Sequence, residues 1–490
     1  MSARSACPIG APPRTAGLVA ALVAMLALAV SAAWLVRAFP FVHMESATYL
    51  ANALDGRAPV AQIFDVQRND FGLYQARELS YATDWFDARV AAAWFRRTGW
   101  FLPLSAMHLL ACGLIVGVTV TWLRTAAPQL GRAAFVPALL FVSSASTVLG
   151  ARHFRTAKSL AAAAVLMLAW QLVRVVDDAS RAPETPLRSR RDRRRRALTL
   201  GVTATVLVLA DRQGTFFVLA FAVLLWLDAR AAGNRRSEDM RYVLALMLAL
   251  GAGTVYDMWV GPTLIRAAVH QEVNWSLQSG TVDPAALMRP EVWRGAAVWL
   301  LDSFSLFAGG LGVSWGIVVA CAGLLLARIG GHARWLLRAS LALAALTLFA
   351  ALLVSRHPPV AAPDVRVAYY NTPLLALLTV GLGLALTRCA RRADWAAWRR
   401  PVVAIALVLA ALNLTAVPRV SRRIAAGADA AHIPATEALI QCIEQRRGPN
   451  PLDRLPRELP WIGRYRRLCA RYRALRPAPV SSQPSRDAGS

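Results

Sequence analysis

The turn GARHFRTAK, Gly150 to Lys158, sets Arg152, His153, Arg155 and Lys158 close together. Arginine presents a planar fork that grips a phosphate with two parallel hydrogen bonds, and lysine presents a compact charge, so such a turn would hold an anion. Lys158 is the one lysine among 55 basic side chains. A second basic group, Arg356 and Arg366 with His357 and Asp364, is followed by Tyr369 and Tyr370. In the DRQG turn, Arg212 stands beside Asp211. Long basic side chains at a membrane boundary also snorkel to headgroups or pair with nearby carboxylates, and that alternative stays open for each cluster.

Carboxylates concentrate between residues 37 and 99: Glu45, Asp55, Asp65, Asp70, Glu78, Asp84 and Asp87. A carboxylate held between a bound phosphate and an incoming hydroxyl can take the hydroxyl's proton as general base. Glu45, in FPFVHMESATYL just after the first apolar block, is the first candidate. Asp70 in RNDFGLYQ and Glu78 beside Arg77 follow it. Most acids in such a loop are solvated or paired with arginine.

The elements that would position these groups are membrane spans. Apolar residues make up 57% of the chain and recur in blocks separated by arginine-rich breaks. That pattern predicts an all-α polytopic membrane protein with about eleven spans, from Thr15–Val36 to Pro401–Leu414. The blocks on either side of Asp211 are short, so their helices would begin inside the flanking arginine segments or form a tight hairpin. The pattern predicts a multi-span domain over residues 1–414, a small extracytoplasmic polar region over 415–475, and a disordered tail over 476–490. The first apolar block also resembles a secretory signal, and either reading leaves the 37–99 loop on the outer side.

A net charge of +27 need not imply nucleic acid, because the arginines lie in alternate breaks. The positive-inside rule makes those breaks and the N-terminus cytoplasmic, including the Arg188–Arg196 tract, which would touch anionic headgroups. The large first loop is then extracytoplasmic, in a bacterial inner membrane, and the 150–158 cluster lies against the charge gradient. Within the first loop, the run from Ala76 places Leu79, Phe86, Val90 and Trp94 on one helical face, as an interfacial helix requires. Cys442 and Cys469 fall in the outer polar region, where an oxidising compartment permits a disulfide.

No HExxH, CxxC or Walker loop is present, which leaves protease, redox and nucleotide-driven chemistry without a motif. The scattered histidines make no metal site, and no internal repeat of the transporter kind is visible. The acid-bearing first outer loop with its interfacial helix, the many spans, the outward basic turns and the RVAYY segment entering a late span resemble the GT-C class of integral-membrane glycosyltransferases. The likeness is one of architecture and covers roughly residues 15–415. It implies a polyprenyl-phosphate or polyprenyl-diphosphate sugar donor and an inverting transfer assisted by a first-loop carboxylate. In some members a divalent metal ion takes part. On that likeness Arg152, His153, Arg155, Lys158, Arg212, Arg356, Arg366 and Tyr370 would contact the donor phosphate, and Glu45, Asp70 or Glu78 would be the base. The family's paired acids after the first span reduce here to the single Glu45, and its second outer acid is missing from RHFRTAK.

Two other classes remain. A surface-polysaccharide ligase or polymerase uses similar donors but relies on a large later loop. A carrier or envelope-assembly partner would carry charges along an intramembrane path, and apart from Asp257 and Asp302 few charges lie well within an apolar block, which disfavours it. The expected partners are a lipid-linked sugar and membrane lipids, with no nucleic acid; oligomeric state is not legible.

Overall fold

In a computed structural model of the chain, the residues described are 13–38, 42, 44–69, 74, 76–152, 157–178, 186–231, 240–273, 288–291, 335–343, 345, 372–390, 394–428, 432–445, 449–457, 459 and 462–476. Among them every regular element is helical. Six helices are long and apolar enough to cross a membrane, within Thr15–Arg37, Ala106–Ala126, Lys158–Val175, Gln213–Arg230, Met240–Val269 and Trp395–Thr415. Two shorter apolar helices lie in Pro128–Val142 and Thr372–Thr387. The expected count of about eleven is therefore not reached among the described residues. The block at 311–327, most of that at 339–354, and the glycine-rich 295–311 segment lie outside the description.

The bundle starts with α1 (Pro13–Ala38), which packs along α6 (Ala106–Ala126). Small residues make this possible: a Cβ on Gly17 would sit 2.7 Å from the Gly117 carbonyl, and one on Gly113 would sit 2.5 Å from Met25 Sδ. In a lipid solvent, helices associate through such close backbone approach, because burial of apolar surface gives little advantage there. Leu18, Leu22, Leu26 and Val30 on the other side of α1 stay exposed, as a lipid-facing stripe would.

Between α1 and α6 the chain forms α2 (Met44–Ala53), the short α3 (Pro59–Ile63) and α4 (Val66–Asn69), and α5 (Glu78–Thr98). The expected interfacial helix is α5, and it starts two residues later than the Ala76 run. It ends at Gly99, whose left-handed φ of 71° lets its N–H reach the Phe95 carbonyl at 2.7 Å. Phe86, Val90 and Trp94 form an exposed apolar ridge on α5, while Ala88, Ala91, Ala92 and Phe95 are buried on its other side.

The third apolar block is not one continuous helix. A 3-10 segment, Pro128–Phe135, leads into α7 (Val136–Val142), and Ser143 and Ser144 separate it from α8 (Ala145–Gly150). Ser144 caps α8 by accepting from the Thr147 N–H at 3.1 Å, so the interruption has its own hydrogen bonds. There follow α9 (Ala157–Asp178), α10 (Pro186–Ala210), α11 (Arg212–Ala231), α12 (Met240–Val255), a π-helical turn (Tyr256–Val260) and α13 (Gly261–Val269). Helix α10 begins inside the arginine tract, the first of the two arrangements expected for the short blocks beside Asp211. Later come α14 (Thr372–Cys389) and α15 (Trp395–Ala428). Helix α15 runs past residue 414, so the polar region begins later than the apolar pattern suggests.

Chain direction and contacts define two ends of the bundle. At one end the Ser105 N–H donates to the Ala151 carbonyl at 2.8 Å, and Gln271 donates to Asp65 of the first loop at 3.0 Å. The turn at Asp211 belongs to this end. At the other, Trp395 Nε1 donates to the Gln129 carbonyl at 3.3 Å and Arg338 meets Asp228 at 3.3 Å.

The chain closes with α16 (His432–Glu444), a 3-10 turn at Pro451–Arg454, and α17 (Ile462–Ala474). These pack on the first loop rather than standing apart. Tyr465, Leu468, Cys469 and Tyr472 share one core with Ala47, Leu50, Ala51, Phe95 and Phe101. The Tyr472 ring meets Phe95 and Phe101 edge-on, with centroids 5.1 and 4.9 Å away. Cys442 and Cys469 are disulfide-bonded, with their Cα atoms 6.0 Å apart. Two arginines of this region bond backbone carbonyls, Arg473 that of Cys442 and Arg476 those of Gln445 and Ile443.

Candidate active site

Where the first loop meets the bundle, the chain enters α5 through Ala76, a buried residue with φ of 49°. A non-glycine residue in the left-handed region carries strain of about 1–3 kcal/mol, which the surroundings must offset, and such residues gather at functional sites. The next two residues are Arg77 and Glu78. Glu78 is buried at 7% exposure, and its Oε2 accepts from the Tyr256 hydroxyl at 3.1 Å. Tyr256 opens the π-helical turn between α12 and α13, a form of helix found mostly as single-turn interruptions at functional sites. Beside it, Tyr74 packs so closely on Gly261 that a Cβ there would lie 1.9 Å from the Tyr74 hydroxyl.

The same locus holds a buried ion pair. Lys158, on the first turn of α9, places Nζ 2.8 Å from Asp211 Oδ1, and their side chains are 4% and 1% exposed. Asp211 also accepts from the Gln213 N–H at 2.9 Å. Burial alone would raise the Asp211 pKa, but the Lys158 and Arg77 charges and these hydrogen bonds together hold it below the usual carboxylate value. The Arg77 charge thus acts on Asp211 while its chain neighbour Glu78 meets Tyr256, which ties the two groups together. The tight turn beside them depends on Gly214, where a Cβ would lie 2.1 Å from the Leu207 carbonyl oxygen.

Arg152 is buried too, at 6% exposure, and burial pushes its guanidinium down to about 10. It remains a cation at neutral pH. A Cβ on Gly150 of this turn would lie 2.4 Å from a ring carbon of His108, and His108 in turn reaches Ser159, next to Lys158, through Nδ1. The other ring nitrogen of His108 lies 2.8 Å from the Thr147 carbonyl. Around Asp211 stand the cations Lys158 and Arg77, with Glu78 next to Arg77 in the chain and Arg152 on the turn that precedes α9. A carboxylate held beside cations suits proton abstraction next to an anion.

Of the residues expected from sequence, Glu78, Arg152 and Lys158 come to this locus. Lys158 commits its charge to Asp211. Glu45 lies in the first turn of α2 and Arg212 in the first turn of α11, but their side chains are outside the description, as are Asp70, His153, Arg155, Arg356, Arg366 and Tyr370. Asp55 and Asp65 are structural: both bind Arg57, at 3.0 and 2.8 Å, and Arg68 closes the network. Although burial raises the Asp55 pKa, its bonds to Arg57 and the charges of Arg57 and Arg68 outweigh that and lower it. Among the described residues no three His, Cys, Asp or Glu side chains gather to hold a metal ion.

Arg77, His108, Ser159 and Tyr256 were not singled out by sequence. Arg77 adjoins a candidate acid, and Tyr256 precedes Asp257, which were the available signals. Asp87 is a further buried acid. It accepts from Ser105 Oγ and from the Met107 N–H at 2.9 Å, capping the start of α6 from another helix. Burial, against those hydrogen bonds, pushes its pKa up to about 7.

No family model matches the chain, and no curated protein matches it either.

Proposed function

We propose that this protein is a membrane glycosyltransferase of the GT-C kind, moving a sugar from a polyprenyl-phosphate or polyprenyl-diphosphate donor to an extracytoplasmic glycan, lipid or protein. On this reading the arginine-rich breaks and the N-terminus face the cytoplasm of a bacterial inner membrane, and about eleven spans cross it. The ridge of Phe86, Val90 and Trp94 rests in the outer interface.

The observation that carries the reading is the setting of Glu78: a first-loop carboxylate held by Tyr256 at the end of the bundle, beside Arg77 and the Lys158–Asp211 pair. Glu78 takes the proton of the acceptor hydroxyl as the acceptor oxygen bonds to the anomeric carbon. The bond from that carbon to the phosphate oxygen breaks, and the lipid phosphate leaves with the electron pair. Arg77 and Arg152 stabilise the charge that builds on it. Fixed charges aimed at developing charge supply much of the barrier lowering in such reactions. Glu45, at the start of α2, is the second acid of the same loop.

Reconstitution in nanodiscs tests this. With a radiolabelled polyprenyl-phosphate sugar, the wild type should release lipid phosphate and transfer label to an acceptor, whereas Arg77→Ala should lose most of that turnover. A carrier would move label across a vesicle membrane without cleaving the donor, and that result would replace the enzyme reading.

A further inference from the structure

The first loop leaves α1 through Val42, three residues before Glu45. Val42 is 2% exposed, and both of its backbone groups bond to the C-terminal helices. Its N–H donates to Thr436 Oγ1 of α16 at 3.4 Å, and its carbonyl accepts from the Tyr465 hydroxyl of α17. Thr436 and Tyr465 are themselves 3.5 Å apart. Two helices whose partners lie 394 and 423 residues away therefore complete the hydrogen bonding of Val42 at the root of the loop.

Neighbouring contacts extend the grip. Arg37, at the end of α1, forks onto Glu444 of α16 at 2.8 and 3.1 Å, and the same carboxylate accepts from the Phe101 N–H at 2.9 Å. One glutamate thus joins the end of α1 to the segment just past α5, so both ends of the first loop are held by α16. From α17, Arg467 reaches Asn52 of α2 at 3.4 Å. The Cys442–Cys469 disulfide ties α16 to α17, so Thr436 and Tyr465 keep their spacing around Val42.

Helix α2 passes this constraint on. Tyr49 on α2 stacks on Tyr81 of α5, with ring centroids 6.4 Å apart. Tyr81 lies three residues after Glu78, on the same helical face. A shift of α2 about Val42 would move Glu45 directly and Glu78 through this ring pair.

We propose that the disulfide-bonded pair α16–α17 is a clamp that positions the acid-bearing first loop, with Thr436 and Tyr465 as positioning residues for Glu45 and Glu78. The inference rests on the transferase reading for its catalytic consequence, while its structural part stands separately. Positioning of this kind acts on turnover, because a small displacement of a reacting group costs far more rate than affinity.

The test is amide hydrogen exchange on the full chain in nanodiscs, paired with donor kinetics, for the wild type, Tyr465→Phe, Thr436→Val and Cys442→Ser/Cys469→Ser. Residues 42–53 should exchange about three- to tenfold faster in Tyr465→Phe, the effect of one net hydrogen bond, and faster still in the double cysteine variant. Exchange in α6 should not change. Turnover should fall in the same order, with the donor KM unchanged. Unaltered exchange at 42–53, or acceleration spread equally over α6, would overturn the clamp. A loss seen in KM rather than in turnover would overturn the positioning role. If the wild type transfers no sugar at all, the functional reading fails, and the exchange data still decide whether the clamp exists.

Discussion

Lys158 and Asp211, 53 residues apart, form a 2.8 Å ion pair with almost no exposure at the first-loop end of the bundle. The one lysine of the chain is thus held in place by a carboxylate from the turn between α10 and α11. Removing one partner leaves the other charge buried, at a cost of about 3–5 kcal/mol, whereas replacing both with apolar residues of similar volume is often close to neutral. Lys158→Met and Asp211→Leu should each lower thermal stability strongly in detergent, and the double variant should recover most of it. Recovery of stability without recovery of sugar transfer places Lys158 in the chemistry. If the double variant regains both, the pair is only a structural bolt.

Asp87 gives a pH dependence of defined sign. Its folded pKa of about 7 lies above the ordinary carboxylate value of 3.8, so its protonated form favours the folded state. That contribution is fully present below about pH 4 and is lost as pH rises through about 7, with each pKa unit corresponding to about 1.4 kcal/mol. The unfolding midpoint of the wild type should therefore fall relative to Asp87→Asn between pH 5 and pH 8. A wild type that gains stability over Asp87→Asn in that window would contradict the burial argument.

Two glycines separate close approach from open space. At Gly214 a Cβ would meet the Leu207 carbonyl at 2.1 Å, a backbone atom that cannot swing away, while at Gly251 nothing lies within 4 Å. Gly214→Ala should destabilise by about 1–3 kcal/mol and disturb the Asp211 turn. Gly251→Ala, in the middle of α12, should be neutral or stabilising by up to about 1 kcal/mol. Thermal unfolding of the two variants side by side checks the packing at this turn.

Much of this arrangement was legible in the chain because membrane spans and amphipathic helices write their periods into the sequence. The large first loop, the helix carrying Phe86, Val90 and Trp94, the turn before Lys158 and the cysteine pair all came from local pattern. What was not legible depends on distant contacts or on irregular helix geometry. Val42 gives no local sign that Thr436 and Tyr465 will bond its backbone. The break at Ser143 and Ser144 lies inside an apolar run that hydropathy reads as continuous, and nothing in Tyr256–Val260 marks a π-helical turn. A basic side chain near a membrane boundary also looks alike in sequence whether it snorkels, binds phosphate or, like Lys158, pairs with an aspartate 53 residues away.

On the transferase reading, a first-loop carboxylate beside Tyr256, Glu78, removes the acceptor proton. Single-turnover transfer from a labelled polyprenyl-phosphate sugar, measured for the wild type, Glu78→Gln and Tyr256→Phe in nanodiscs, tests it most directly. General-base assistance contributes roughly 10²–10⁴-fold, so Glu78→Gln should lose a factor in that range with donor affinity kept, and Tyr256→Phe should lose less. Transfer by Glu78→Gln at the wild-type rate, with Tyr256→Phe equally unaffected, would contradict the account.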